Sequence, residues 1–226
     1  MENDNIPENK LVCDFLFRPG AKDAFALLDY ALKNGQYIQN HVSQEQLFVF
    51  VRNNYDSLKA YYREYFSLYL DREGQDDQSY YFLNFRKDGN GVFSRGKIPP
   101  RNRVYLDGAY ILVGFMFARM YLIDIEADSI FSPADFKRRV KLDYDEYKQD
   151  LMRLFANHTD INETQMDWSK LDTIIDKALR EFEAMGWIYP LGTGEYQILP
   201  SSNRLITMYK DPIDSFEKIL TEDIEP

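Results

Sequence analysis

The chain has 226 residues, of which 45% are hydrophobic and 15% aromatic. That is enough apolar side chain for one large domain or two of about 100 residues, and it excludes a disordered polyelectrolyte. A net charge of −10 excludes indiscriminate coating of nucleic acid, because an acidic surface repels phosphate, while a locally basic contact patch stays compatible with it. Cys13 has no second cysteine with which to form a disulfide.

Met1-Glu2-Asn3-Asp4 lacks the apolar run of a signal peptide, so the expected compartment is the cytoplasm. DAFALLDYALKNG (23–35) sets Phe25, Leu28, Ala31 and Leu32 on one helical face, and Asn34-Gly35 supplies its stop. Ser43 and Gln46 stand at capping-box spacing, which predicts a second helix from there. A third helix is predicted over 53–66, with Leu58, Tyr61, Tyr62, Tyr65 and Phe66 on one face. SLYL and SYYFLNF then read as strands around the polar loop 71–78. Three helices followed by a hairpin is the order of a winged helix.

RKDGNGVFSRGKIPPRNR (86–103) is rich in Gly and Pro without a period, and reads as a connection. The apolar run 109–123 is too short to span a bilayer and contains Arg119, which predicts a buried helix over 107–123. At 131–141, Ser132 is the predicted N-cap, Pro133 the first helical residue and Asp135 the partner in a capping box. Ser169 and Asp172 have the same spacing ahead of a stripe of Leu171, Ile174, Ile175, Ala178, Phe182 and Met185. Gly186 ends that helix, and WIYP and YQIL form a hairpin around LGTGE. The expected fold is mainly α with small β-hairpins, an α+β chain of tandem winged-helix domains. The expected segments are an N-terminal extension (1–20), a first winged-helix domain (21–86), a basic connector (87–105), a second winged-helix domain (106–210) and an acidic tail (211–226).

No catalytic constellation emerges. GVFSRGK (91–97) imitates the start of a phosphate-binding loop, but Ile98 replaces the magnesium-binding hydroxyl and Pro99-Pro100 forbid the helix that must come next. His41, His158 and Cys13 are scattered, so no metal site is expected. The carboxylates at Asp143, Asp145, Glu146 and Asp150 read as a solvated face, without the opposed environments that acid–base catalysis needs. Basic residues are more informative. Arg86, Lys87, Arg95, Lys97, Arg101 and Arg103 face Asp88 alone in their segment, and Lys137, Arg138, Arg139 and Lys141 form a second cluster. Both are candidate phosphate contacts, with ordinary solvated surface as the alternative. The helix around 169–185 is too acidic for a major groove, and Asp71, Glu73, Asp76 and Asp77 would repel a duplex from the first wing. The wings therefore look like protein-contact surfaces. Their aromatics Tyr69, Tyr80, Tyr81, Trp187, Tyr189 and Tyr196 serve either the core or a partner.

FALLDYALKNGQYI, FVRNNYDSLKAYYREYFSLYLDRE and YYFLNFR resemble the N-terminal half of the MukE/MksE family. FSPADFKRRV and SKLDTIIDKALREFEAMGWIYPLGTGEYQILPSSNRL resemble its C-terminal half, so that residues 20–212 are covered in order. The resemblance implies a non-enzymatic, cofactor-free accessory subunit of a bacterial SMC condensin. Such a subunit is a dimer of tandem winged-helix chains that clasps a kleisin (MukF- or MksF-like). The kleisin bridges an SMC ATPase (MukB- or MksB-like), which hydrolyses the ATP. A cytoplasmic, nucleoid-associated complex engaging double-stranded DNA without strong sequence preference is implied, acting in chromosome organisation or plasmid defence. Lys170 matches a basic position of the family, and Pro99, Pro100 and Arg101 match its basic, proline-containing segment. Glu183-Ala184 stand where the family pattern is arginine-rich. DNA contact is therefore expected first at Arg95, Lys97, Arg101 and Arg103, and then at Lys137–Lys141. Kleisin contact is expected at Tyr69, Tyr81, Trp187, Tyr189 and Tyr196. Two rival functions are a free-standing winged-helix transcription regulator, which would bind a duplex selectively on its own, and an enzyme using the Asp/Glu-rich face with a metal, which would turn over only with a divalent ion.

Overall fold

The computed structural model describes residues 12–86, 96–98, 106–123, 129–143 and 168–208. The chain divides into two compact units, 1–104 and 105–226, each an assembly of helices with a small antiparallel sheet.

In the first unit a 3-10 turn, Asp14–Phe17, precedes α1 (Ala21–Lys33). Ala21, Ala24, Leu28 and Leu32 are buried along one face, with Phe25 and Ala31 packed at its margins. The predicted stop holds. Gly35 takes φ 83°, its N–H bonds Leu32 O at 3.1 Å, and the N–H of Gln36 bonds Ala31 O at 2.9 Å, the paired bonds of a Schellman motif. β1 (Ile38–Gln39) comes next, then α2 (Glu45–Asn53) and α3 (Tyr55–Tyr61). The cap predicted at Ser43 does not form. Its hydroxyl lies 2.8 Å from His41 Nδ1, and Gln44 precedes α2 without a side-chain cap. The buried Gln44 amide instead accepts from Gln39 N (3.1 Å) and donates to Tyr37 O (3.0 Å), clipping the backbone of β1 to the helix start.

The third helix widens into a π-turn, Tyr62–Phe66. An extra residue per turn rotates the positions beyond it, so Tyr62 is fully buried while Tyr65, expected on the same face, is 53% exposed. β2 (Tyr69–Glu73) and β3 (Tyr80–Asn84) pair antiparallel from Tyr69↔Asn84 to Glu73↔Tyr80, and β1 adds to β3 to give the order β1-β3-β2. Gly96–Ile98 lies against this unit. Lys97 N–H donates to Phe66 O at 2.7 Å, Ile98 packs on the core, and a Cβ on Gly96 would stand 2.4 Å from Phe66 O.

In the second unit Asp107 caps α4 (Gly108–Ala118) by accepting from Ala109 N at 2.8 Å, and a π-turn, Arg119–Ile123, extends it. Val113, Met116, Phe117 and Ala118 are buried, and Gly114 lets Leu205 and Phe182 come close: a Cβ there would meet them at 3.2 and 3.4 Å. β4 (Ile130–Phe131) leads into α5 (Pro133–Leu142). Ser132 Oγ accepts from Asp135 N at 3.0 Å as predicted, with Pro133 in the first turn. The Asp135 carboxylate turns to Arg138 and Arg139. α6 (Trp168–Met185) already includes Ser169, whose carbonyl accepts from Thr173, and Asp172 pairs with Lys141. The capping box predicted for that pair is therefore replaced by a helix turn and an ion pair. Gly186 (φ 80°) ends α6 with a second Schellman motif: Gly186 N to Glu183 O, 2.9 Å, and Trp187 N to Phe182 O, 2.8 Å. β5 (Ile188–Pro190) and β6 (Tyr196–Ile198) close the hairpin, and β4 pairs with β6 to give the order β4-β6-β5.

Among the described residues each unit thus runs helix, strand, helix, helix, strand, strand, and in each the last strand lies between the other two.

Candidate nucleic-acid and partner surfaces

The cations of α5 project from a helix whose start is fixed by Ser132 and Pro133 and whose buried side carries Phe136 and Val140. Every one of the four meets a carboxylate. Lys137 Nζ is 2.6 Å from Asp176, Lys141 Nζ is 2.8 Å from Asp172, Arg139 is 3.8 Å from Asp135, and Arg138 also pairs with Asp135. Two of these pairs join α5 to α6 one turn apart on both helices. Arg139 also lies 5.4 Å from the Tyr121 ring centre, and Lys141 Nζ 6.0 Å from that of Trp168. Partly exposed pairs of this kind contribute about 0–1 kcal/mol each, so their effect is less on stability than on charge: they cancel most of the positive field the sequence suggested. Lys170 is exposed on the first turn of α6.

Lys97 is exposed and held at the first unit by its own backbone. Arg95, Arg101 and Arg103 lie outside the described residues.

The wing aromatics divide. Tyr81 is 1% exposed, packed on Phe48 and Tyr55 with ring centres 5.8 and 5.5 Å away, and Trp187 is 3% exposed at 5.2 Å from Phe182. Both are core residues, which corrects their expected place on a partner surface. Simple alternation fails on β3: Tyr80 and Phe82, on the face opposite Tyr81, are buried too, because Tyr37 covers them. Tyr69, Tyr189 and Tyr196 are half-buried. Tyr69 carries the Arg86 guanidinium 4.8 Å from its ring centre, and Tyr196 stacks on Phe131 at 5.8 Å.

Sequence reasoning looked for partner contacts on the wings and overlooked α1. Its outer side exposes Leu27 (61%) and Tyr30 (71%), and Phe17 in the preceding turn is 85% exposed. The signal was present: AFALLDYAL is apolar on more faces than one core needs. A cleft of about 470 Å³ opens where α1 begins beside α2, lined by Pro19, Ala24, Val49 and Phe50 with Arg18 and Glu45 as its charged groups. Arg18 is taken up by Asp14 at 2.7 Å.

Nothing among the described residues points to acid–base or metal chemistry. Among the described residues, no group of three or more His, Cys, Asp or Glu could hold a metal ion. Burial, with Asp29 as the next contribution, pushes the Tyr61 phenol up to about 12, and the same two causes raise that of Tyr62 further. Burial, then the neighbouring carboxylate, also raises Tyr121 (Asp135) and Tyr196 (Glu183). Such phenols stay protonated at neutral pH. No helix of the described residues is long and apolar enough to cross a membrane.

The model of one protein family, described as condensin complex protein MksE, matches residues 23–209. No curated protein matches the chain.

Proposed function

Since the chain belongs to the family of the condensin complex protein MksE, we propose that it is a non-catalytic accessory subunit that binds the kleisin of an SMC complex and adds a DNA contact to it. The match over 23–209 carries this reading, and the element order repeated in both units supports it. In this reading each unit is a winged helix, the chain works as a homodimer in the cytoplasm at the nucleoid, and the ATP is spent by the SMC partner. The complex organises chromosomes or acts against plasmids.

DNA contact falls to the connector cations Arg95, Lys97, Arg101 and Arg103, and to Lys170, an exposed cation of α6. Kleisin contact falls to Tyr69, Tyr189 and Tyr196, whose rings are not fully enclosed. A free-standing transcription regulator is the weaker reading, because α6 carries Asp172, Asp176, Glu181 and Glu183 and is too acidic for a helix that would have to enter a groove.

Purification of the tagged chain from its native cell tests the proposal. A kleisin-like chain and a long coiled-coil ATPase should co-purify, and recovery as a solitary polypeptide would reject it. In the assembled complex, charge reversal at Arg95, Lys97, Arg101 and Arg103 should weaken DNA binding by more than about tenfold at physiological salt while kleisin binding survives. Unchanged DNA affinity would remove the connector from the contact.

A further inference from the structure

Lys137 and Lys141 lie one turn apart on α5, and Asp176 and Asp172 one turn apart on α6 opposite them, at 2.6 and 2.8 Å. The exposures within the first pair are unequal: the Asp176 side chain is 47% exposed and that of Lys137 21%. The aspartate presents the larger share of its side chain to solvent, and its carboxylate is 2.6 Å from the lysine's ammonium, so a phosphate approaching this lysine also meets the aspartate's charge. Arg138 and Arg139 are drawn to Asp135 on the same helix.

We propose that this two-rung ladder is a masked polyanion-binding face: Asp172 and Asp176 withhold Lys137 and Lys141 from a phosphate backbone, and the face takes up nucleic acid once those two carboxylates lose their charge. The proposal rests on the reading of the chain as a DNA-contacting subunit and adds the control of one of its surfaces. The physical ground is counterion release. A lysine gains duplex affinity by displacing a cation condensed on the phosphates, and it must be free to do so. A lysine held by a carboxylate leaves that carboxylate uncovered when it moves, so the exchange yields no net release. Partly exposed ion pairs are individually weak, so the mask can be lifted without disturbing the helices.

The test uses the full-length protein and a short duplex of arbitrary sequence, with affinity measured between 50 and 200 mM salt. D172N/D176N should steepen the dependence of log K on log salt by about 1.8, two phosphates' worth, and raise the affinity at the low-salt end about tenfold. D23N/D56N changes net charge equally at exposed positions of the first unit and should leave the slope unchanged. Adding K137A/K141A to D172N/D176N should abolish the gain, while K137A/K141A alone should change nothing.

A slope for D172N/D176N no steeper than for D23N/D56N overturns the proposal. So does a flatter slope for K137A/K141A alone, since those lysines would then already touch phosphate. No binding by either the unaltered chain or D172N/D176N overturns it too. If the double variant melts early, D176N alone carries the same test with half the slope change. Loss of binding on charge reversal in the connector, alongside a silent ladder, would sink this inference and leave the wider DNA reading standing.

Discussion

Tyr62 concentrates what the core of the first unit demands of one side chain. It is fully buried at the point where α3 widens, and its hydroxyl lies beside Asp29, whose carboxylate also holds Lys33 at 2.7 Å. Burial first, and the Asp29 charge second, raise its pKa above the ordinary 10.0. The folded chain therefore keeps this proton at a pH where the unfolded chain has released it. The resulting stability is complete below pH 10 and is lost above it, by about 1.4 kcal/mol per pH unit until the folded-state value is reached. Tyr62→Phe should change stability at pH 7 by less than about 1 kcal/mol, because the hydroxyl has no hydrogen-bond partner of good geometry. Denaturant unfolding above pH 10 should then show a dependence shallower by one proton. An alkaline limb identical to that of the unaltered chain would place the ionisation elsewhere.

At the scale of elements, the features legible in the sequence were those that neighbouring residues decide among themselves. Ser132 and Pro133 start α5 as their types require, and Gly35 and Gly186 end α1 and α6 in left-handed backbone. Ser132→Ala should cost about 1 kcal/mol in the second unit, measured by urea unfolding, and a neutral result would mean that the helix start is held by packing alone. The failures share a cause as well. β1 and β4 are two residues each, too short for alternation to register, and they exist only because β3 and β6 offer an edge to pair with. Ser43 has the right spacing for a cap, but His41 lies nearer. The cations of α5 were visible as a cluster. Their neutralisation was not, because Asp172 and Asp176 are more than thirty residues away and reach them only through the packing of α6. Tyr81 and Trp187 could be read for the core or for a partner, and only the packing of Phe48 and Tyr55 on the one and Phe182 on the other decides for the core.

At the scale of the whole molecule, the two units carry separate cores, one around Leu28, Leu58 and Tyr62 and the other around Phe117, Phe136 and Phe182. Calorimetry should resolve two transitions. Leu58→Ala should remove about 2–5 kcal/mol from one, and Phe182→Ala about 3–5 kcal/mol from the other. A single transition that both substitutions lower alike would mean that the units melt as one. The seating of Gly96–Ile98 on the first unit carries a consequence for the charges around it. Ile98 packs against the core, and Gly96 is too crowded by Phe66 O for any side chain. Lys97, between those two contacts and bonded through its own N–H to Phe66 O, carries its charge at a fixed place on the first unit. Under the proposed DNA contact, a phosphate held by Lys97 would be held at that one address.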